Sequence, residues 1–188
     1  MEKEVSLGGR CSGDYLLCVV GVQMKLIKAT EKLEFEGYSI FLAGSIEMGK
    51  AEKWQDKIIN NLKNQDIIVL NPRRDDWDSS WKQEINNDKF REQVEWELEA
   101  MERADTIVVY FDIETKSPIT LLELGLFAKT GKLIVCCPEG FWRKGNVDIV
   151  CKRWDILQVK SISELIKDLK LKIMENKQKD LNGCDVNE

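Results

Sequence analysis

The run Ala104-Asp-Thr-Ile-Val-Val-Tyr-Phe-Asp112 constrains the fold more than any other stretch of the chain. Its centre is apolar and rich in β-branched residues, without the alternation of a half-solvated strand, so it reads as a strand buried on both faces. Such a strand needs helices packed on either side of its sheet. Four further short runs, Ser39–Ala43, Asp66–Leu70, Lys132–Cys137 and Asp155–Val159, have a similar character and are separated by stretches with room for helices. Strands alternating with helices predict an α/β fold, doubly wound around a mainly parallel five-stranded sheet.

The helical spacing is explicit in places. Trp54, Ile58, Ile59 and Leu62 share one face of a helix expected over residues 50–64, and Phe90, Val94, Leu98 and Met101 make an apolar stripe on another over 88–103. Ser117 caps a third, with Pro118 at the first helical position, where a missing N–H costs nothing. Ser161-Ile-Ser-Glu164 has capping-box spacing and opens a helix to about Met174. Residues 138–153, carrying Phe141 and Trp142, read as a loop. The organised domain is expected over residues 38–175, between an arm or extra strand in 1–37 and a polar tail in 176–188. Within that first segment, Gly8–Gly13 looks like a flexible arm and Tyr15–Val22 like an added edge strand.

Composition narrows the function. A chain of 188 residues that is 43% hydrophobic suits one globular domain with a full core. The net charge of -5 and the absence of a basic stripe exclude a nucleic-acid polymer as partner. There is no histidine, which removes Ser-His and Cys-His nucleophile pairs and histidine metal sites together. The cysteines at 11, 18, 136, 137, 151 and 184 form no C-x-x-C pair and read as reduced thiols, with Cys136 and Cys137 as small buried hydrophobes. No stretch approaches the roughly 20 apolar residues that span a bilayer. The short Tyr15–Val22 run follows residues of mixed charge, which makes a poor leader, so a soluble cytoplasmic protein is expected. Glu92, Glu95, Glu99 and Glu102 share a helix face and read as a solvated row rather than a metal site; no metal or cofactor is expected.

Against this background Glu123 stands out. It lies between Leu121, Leu122, Leu124 and Leu126 in an otherwise apolar helix, where almost any packing leaves the carboxylate partly desolvated. Buried carboxylates are usually paired or functional. Gly125 nearby costs about 1 kcal/mol relative to alanine inside a helix and suits a place of close approach. In parallel sheets ligands bind off the carboxyl ends of the strands. That edge gathers Gly44-Ser45, Pro72-Arg73-Arg74 and the stretch from Asp112 to Glu123. Ser117 at a helix N-terminus makes an anion site or an ordinary cap, and Arg73 and Arg74 add charge or are simply solvated.

With these loops placed, Ile40-Phe-Leu-Ala-Gly-Ser-Ile46, Asn71-Pro-Arg-Arg74, Gln93-Val-Glu-Trp-Glu97, Ala104-Asp105, Ser117-Pro118 with Glu123-Leu-Gly125, and Phe141-Trp-Arg143 follow one another in an order that resembles the nucleoside 2-deoxyribosyltransferase-like family, a relative of the 2'-deoxynucleoside 5'-monophosphate N-hydrolases. The resemblance runs from about Tyr38 to Leu165. It implies a flavodoxin-like, Rossmann-like fold in which Glu123 attacks C1' of a deoxyribosyl unit and Asp105 shuttles a proton to the base. It also implies that Ser45 and Ser117 hold a 5'-phosphate, as in the monophosphate hydrolases, and that the protein is a homo-oligomer. Phe41 stands where relatives carry an aromatic hydroxyl, and Phe41, Trp77 and Trp142 are expected to stack on the base of a small nucleoside or nucleotide. Transfer to a second base and hydrolysis by water remain alternatives, as do a nucleotide-binding module without turnover and a flavodoxin-like signalling or electron-transfer domain.

Overall fold

The computed structural model describes residues 23–46, 53–74, 78 and 80–183. Six strands alternate with five helices: β1 Lys25–Lys28, β2 Ser39–Gly44, α1 Trp54–Leu62, β3 Ile68–Asn71, α2 Asp88–Arg103, β4 Thr106–Tyr110, α3 Pro118–Phe127, β5 Leu133–Cys136, α4 Lys144–Arg153, β6 Leu157–Val159 and α5 Ile162–Gly183. All strand pairs are parallel, in the order β1-β3-β2-β4-β5-β6. The doubly wound class is as expected, with six strands rather than five.

The sixth strand is β1, which lies in the segment expected as an arm and pairs with the edge of β3. Only Ile27 of its four residues is buried, and lysines at both ends suit a sheet edge. The proposed arm at 8–13 and strand at 15–22 lie outside the described residues. Two further expectations are corrected. Residues 144–153 are helical rather than loop, anchored by Val147 and Cys151 one turn apart. The last helix also continues well beyond Met174, through a lysine-rich segment of good helix formers.

The strands separate two apolar layers. On one side Trp54, Ile58 and Leu62 of α1 and Leu165, Leu169 and Ile173 of α5 pack over Ile40, Leu42, Val69 and Val108. On the other, Trp96 and Ala100 of α2, Leu124 and Phe127 of α3, and Val147 of α4 cover Phe41, Leu70, Ile107 and Val109. Cys136, Cys137 and Cys151 are buried and in no disulfide, and burial pushes the Cys137 thiol up to about 12 and that of Cys151 to about 11. They behave as small hydrophobes. Among the described residues no helix is long and apolar enough to cross a membrane.

Chain order reverses between β2 and β4, which is the switch point where a doubly wound sheet opens a crevice at its carboxyl edge. Gly44 ends β2 there against Tyr110 of β4. A side chain at Gly44 would meet the Tyr110 carbonyl oxygen at 2.6 Å and a Trp54 ring carbon at 2.8 Å. Glycine at this position serves the close approach of the two strands.

Candidate active site

Loops after β2 and β4 are joined by a buried hydroxyl cluster. Ser45, Thr115 and Ser117 are all almost fully enclosed. Thr115 Oγ1 lies 3.0 Å from Ser45 Oγ and 2.7 Å from Ser117 Oγ, and the two serine hydroxyls also bond directly to each other. Ser45 Oγ accepts from the Asp112 N–H at 2.9 Å, and its own N–H donates to the Tyr110 carbonyl at 2.9 Å. The expected cap at Ser117 is therefore not made: Ser117 has left-handed backbone angles and no side-chain bond to the first turn of α3. Its hydroxyl instead braces the turn that launches α3. Ser45 and Ser117 are brought together with their hydroxyls turned inward to protein partners.

The helix so positioned carries Glu123 in its second turn, packed on the layer formed by β2 and β4. Burial first, and then the charge of Glu97, raise its carboxyl to about 8. Glu97 belongs to α2, and burial likewise raises it to about 7, opposed by a hydrogen bond from Gln93. Both helices run antiparallel to the strands on the same side of the sheet, so their side chains lean toward the carboxyl edge. Both side chains are half-buried, both carboxyls are raised, and the charge of Glu97 reaches Glu123.

Gln93 is held from two sides. Its Nε2 donates to the Pro72 carbonyl at 2.9 Å and to Glu97 Oε1 at 2.7 Å, while its own Oε1 is buried with no hydrogen-bond partner. A buried acceptor without a partner costs about 1–3 kcal/mol, which marks this amide as constrained by its N–H groups.

Asp105 is not part of this region. It sits on the amino side of β4, where its Oδ2 accepts from the Ser39 N–H at 2.8 Å and the Ser39 hydroxyl at 2.7 Å. The five residues of β4, at roughly 3.3 Å each, separate it from the carboxyl edge. Asp105 is thus set apart from Glu123, and the acidic group whose charge reaches Glu123 is Glu97. Sequence reasoning passed over Glu97 and Gln93, although both stand in the Gln-Val-Glu-Trp-Glu segment.

The remaining expected residues are divided. Phe41 is fully enclosed, its ring 6.3 Å from that of Trp96, and packs in the core instead of facing a ligand. Arg73 and Arg74 follow β3 at the carboxyl edge, and the Arg74 guanidinium lies over the Trp81 ring at 5.1 Å. Trp142 is 51% exposed, and its Nε1 donates to the Lys116 carbonyl at 3.0 Å, which fixes the indole beside the β4–α3 loop. Trp77 lies outside the described residues.

Residues 37–141, more than half of the chain, match the family described as nucleoside 2-deoxyribosyltransferase like. The chain belongs to that family. The match runs from the entry to β2 through Phe141 and takes in Ser45, Gln93, Glu97, Ser117 and Glu123. Comparison with curated proteins returned no match. Membership of the nucleoside 2-deoxyribosyltransferase-like family supports, in general terms, chemistry on small nucleosides.

Proposed function

We propose that the protein cleaves the N-glycosidic bond of a 2'-deoxynucleoside or its 5'-monophosphate through a covalent intermediate on Glu123 and transfers the sugar to another base. The observation that supports this best is the coupling of Glu97 and Glu123 in a desolvated region at the sheet's switch point. Two acidic groups whose protonated forms are both favoured near neutral pH can supply an ionised nucleophile and a protonated acid together.

In the first step a Glu123 carboxylate oxygen bonds to C1' of the sugar. The bond from C1' to the base nitrogen breaks, its electron pair goes to the base, and Glu97 gives the base a proton. In the second step a nitrogen of the incoming base attacks C1', Glu97 takes its proton and Glu123 is released. Water in place of that base gives hydrolysis by the same first step. Reaction requires the proton on Glu97 and the charge on Glu123. Bound substrate favours that distribution: the base nitrogen stabilises protonated Glu97 by accepting its hydrogen bond, and positive charge growing at C1' stabilises ionised Glu123.

Trp142 and Trp77 are assigned to the base, and Arg73 and Arg74 to the outer part of the substrate. The outer side of α3 exposes Ile119, Leu122 and Leu126, at 61%, 57% and 56%, and suits a second copy of the chain in a homo-oligomer.

The test is product analysis by mass spectrometry after incubation with each 2'-deoxynucleoside and each 5'-monophosphate, with and without a second base, beside Glu123→Ala. A new nucleoside that needs the added base supports transfer. Free base without an acceptor identifies the hydrolase. Absence of turnover on every substrate, or full activity in Glu123→Ala, overturns the reading, and binding without products would point to a nucleotide-binding module.

A further inference from the structure

We propose that Gln93 is a positioning residue for Glu97, fixing which carboxyl oxygen carries the transferable proton and stabilising the charge left when that proton departs. The inference rests on the proposed cleavage chemistry and adds to it a residue that does not touch the substrate.

The amide has one orientation. Exchanging its oxygen and nitrogen would set a carbonyl oxygen 2.9 Å from the Pro72 carbonyl, which can only accept, and would leave an ionised Glu97 Oε1 facing a second acceptor at 2.7 Å. Its two N–H groups are therefore directed at Pro72 and Glu97, and the Gln93 carbonyl is left buried without a partner. Gln93 is itself only 4% exposed, so water does not compete for these bonds.

A protonated carboxyl has one hydroxyl and one carbonyl oxygen. With Gln93 donating to Oε1, that oxygen is the carbonyl and the proton stands on Oε2, free to leave. As Oε2 gives its proton to the departing base, negative charge spreads to Oε1 and the Gln93 bond strengthens, because hydrogen bonds to charged acceptors are roughly twice as strong as neutral ones. An interaction that grows along the reaction lowers its barrier. The Pro72 bond holds the amide to the end of β3 while this happens.

The decisive variant is Gln93→Met, which keeps length and removes both donors, with Gln93→Asn, one methylene short of Glu97, as a second. Two substrates are compared: an ordinary 2'-deoxynucleoside, and an N7-methylated purine deoxynucleoside whose cationic base departs without a proton. The Glu97 carboxyl is titrated separately by carbon NMR in glutamate-labelled protein, with its signal assigned by its absence in Glu97→Gln.

The expected result is a loss of roughly tenfold or more in kcat on the ordinary nucleoside, little loss on the methylated one, and a Glu97 midpoint above that of the wild type. Equal losses on both substrates with an unmoved midpoint would mean that Gln93 only supports the fold, and would overturn the proposal. If the wild type cleaves neither substrate, the reading of its activity fails, and the Glu97 titration alone still decides the role of Gln93: an unmoved midpoint overturns it.

Discussion

The charge of Glu97 on α2 reaches Glu123 on α3 and adds to the effect of burial in holding that carboxyl protonated up to about 8. Glu97→Gln removes this charge while keeping the side chain's shape. The Glu123 midpoint should therefore fall below its wild-type value and still stay above an ordinary glutamate, since burial remains. The same variant lacks the proposed acid, so kcat on an ordinary deoxynucleoside should drop roughly 10²- to 10⁴-fold. Carbon NMR titration and steady-state kinetics on one preparation check both; a Glu123 midpoint unchanged by the substitution would separate the two carboxyls.

The same pair should make the fold less stable as the solution becomes more basic. Folded Glu97 and Glu123 hold protons to about 7 and about 8, against 4.5 for an ordinary glutamate. Between those limits the unfolded chain binds fewer protons than the folded one, so stability falls as pH rises. The contribution is fully present below about pH 4.5 and lost by about pH 8. Its size is on the order of a few kcal/mol. Denaturant unfolding of the wild type and of the double variant Glu97→Gln/Glu123→Gln, at steps across this range, should give a steeper decline in the wild type. Parallel curves would contradict the raised protonation of the pair.

Asp105 presents the opposite case, a carboxylate with a structural task. Its Oδ2 joins the start of β4 to the start of β2 through the Ser39 N–H and hydroxyl. Asp105→Ala leaves the buried Ser39 hydroxyl without its acceptor and should destabilise the protein by about 1–3 kcal/mol. The kcat of the folded fraction should stay near that of the wild type. A large fall in kcat with unchanged stability would return Asp105 to the chemistry.

Ser117 separates two uses of a hydroxyl. Bonded to Ser45 and Thr115 in a buried cluster, it braces the turn into α3 and so places Glu123. Ser117→Ala should lower kcat/KM on a nucleoside and on its monophosphate by similar factors. A loss confined to the monophosphate would show that the hydroxyl turns outward to a phosphate.

How far the sequence could be read followed from how strongly each segment depends on its neighbours. The β2 and β4 runs are apolar throughout and declare buried strands directly, and Asn87 and Ser161 begin α2 and α5 with side-chain bonds to Phe90 N and Glu164 N. By contrast β1 has one buried residue, and α4 buries only Val147 and Cys151, too few for a periodic pattern. The most consequential error lay on α2. Of the stripe Phe90, Val94, Leu98 and Met101 only Met101 is buried; the helix turns Gln93, Trp96 and Ala100 inward with it and leaves Leu98 37% exposed. A stripe read by hydropathy alone therefore points about one residue, roughly 100°, away from the face that carries Glu97. Gln93 belongs inside there because the Pro72 carbonyl at the end of β3 accepts from its amide, and that meeting is tertiary.

Two glycines in the motifs differ sharply, since one has no space for a side chain and the other has only space. An alanine methyl at Gly44 would press on the Tyr110 backbone at 2.6 Å, and β4 cannot give way without disturbing its pairing with both neighbours. Gly44→Ala should destabilise the fold by several kcal/mol, on the order of the larger core substitutions. At Gly125 nothing lies within 4 Å of the position a methyl would take, and the residue sits in the helix interior between exposed Leu122 and Leu126. Gly125→Ala should therefore stabilise the isolated chain by about 1 kcal/mol through helix propensity. If a second copy packs on α3, the same methyl fills the gap that the copy enters. Sedimentation velocity over a range of concentrations should then show weaker self-association in Gly125→Ala than in the wild type. Wild type and variant that both sediment as monomers throughout would remove α3 as a contact between copies, leaving the gain in melting temperature as the only effect.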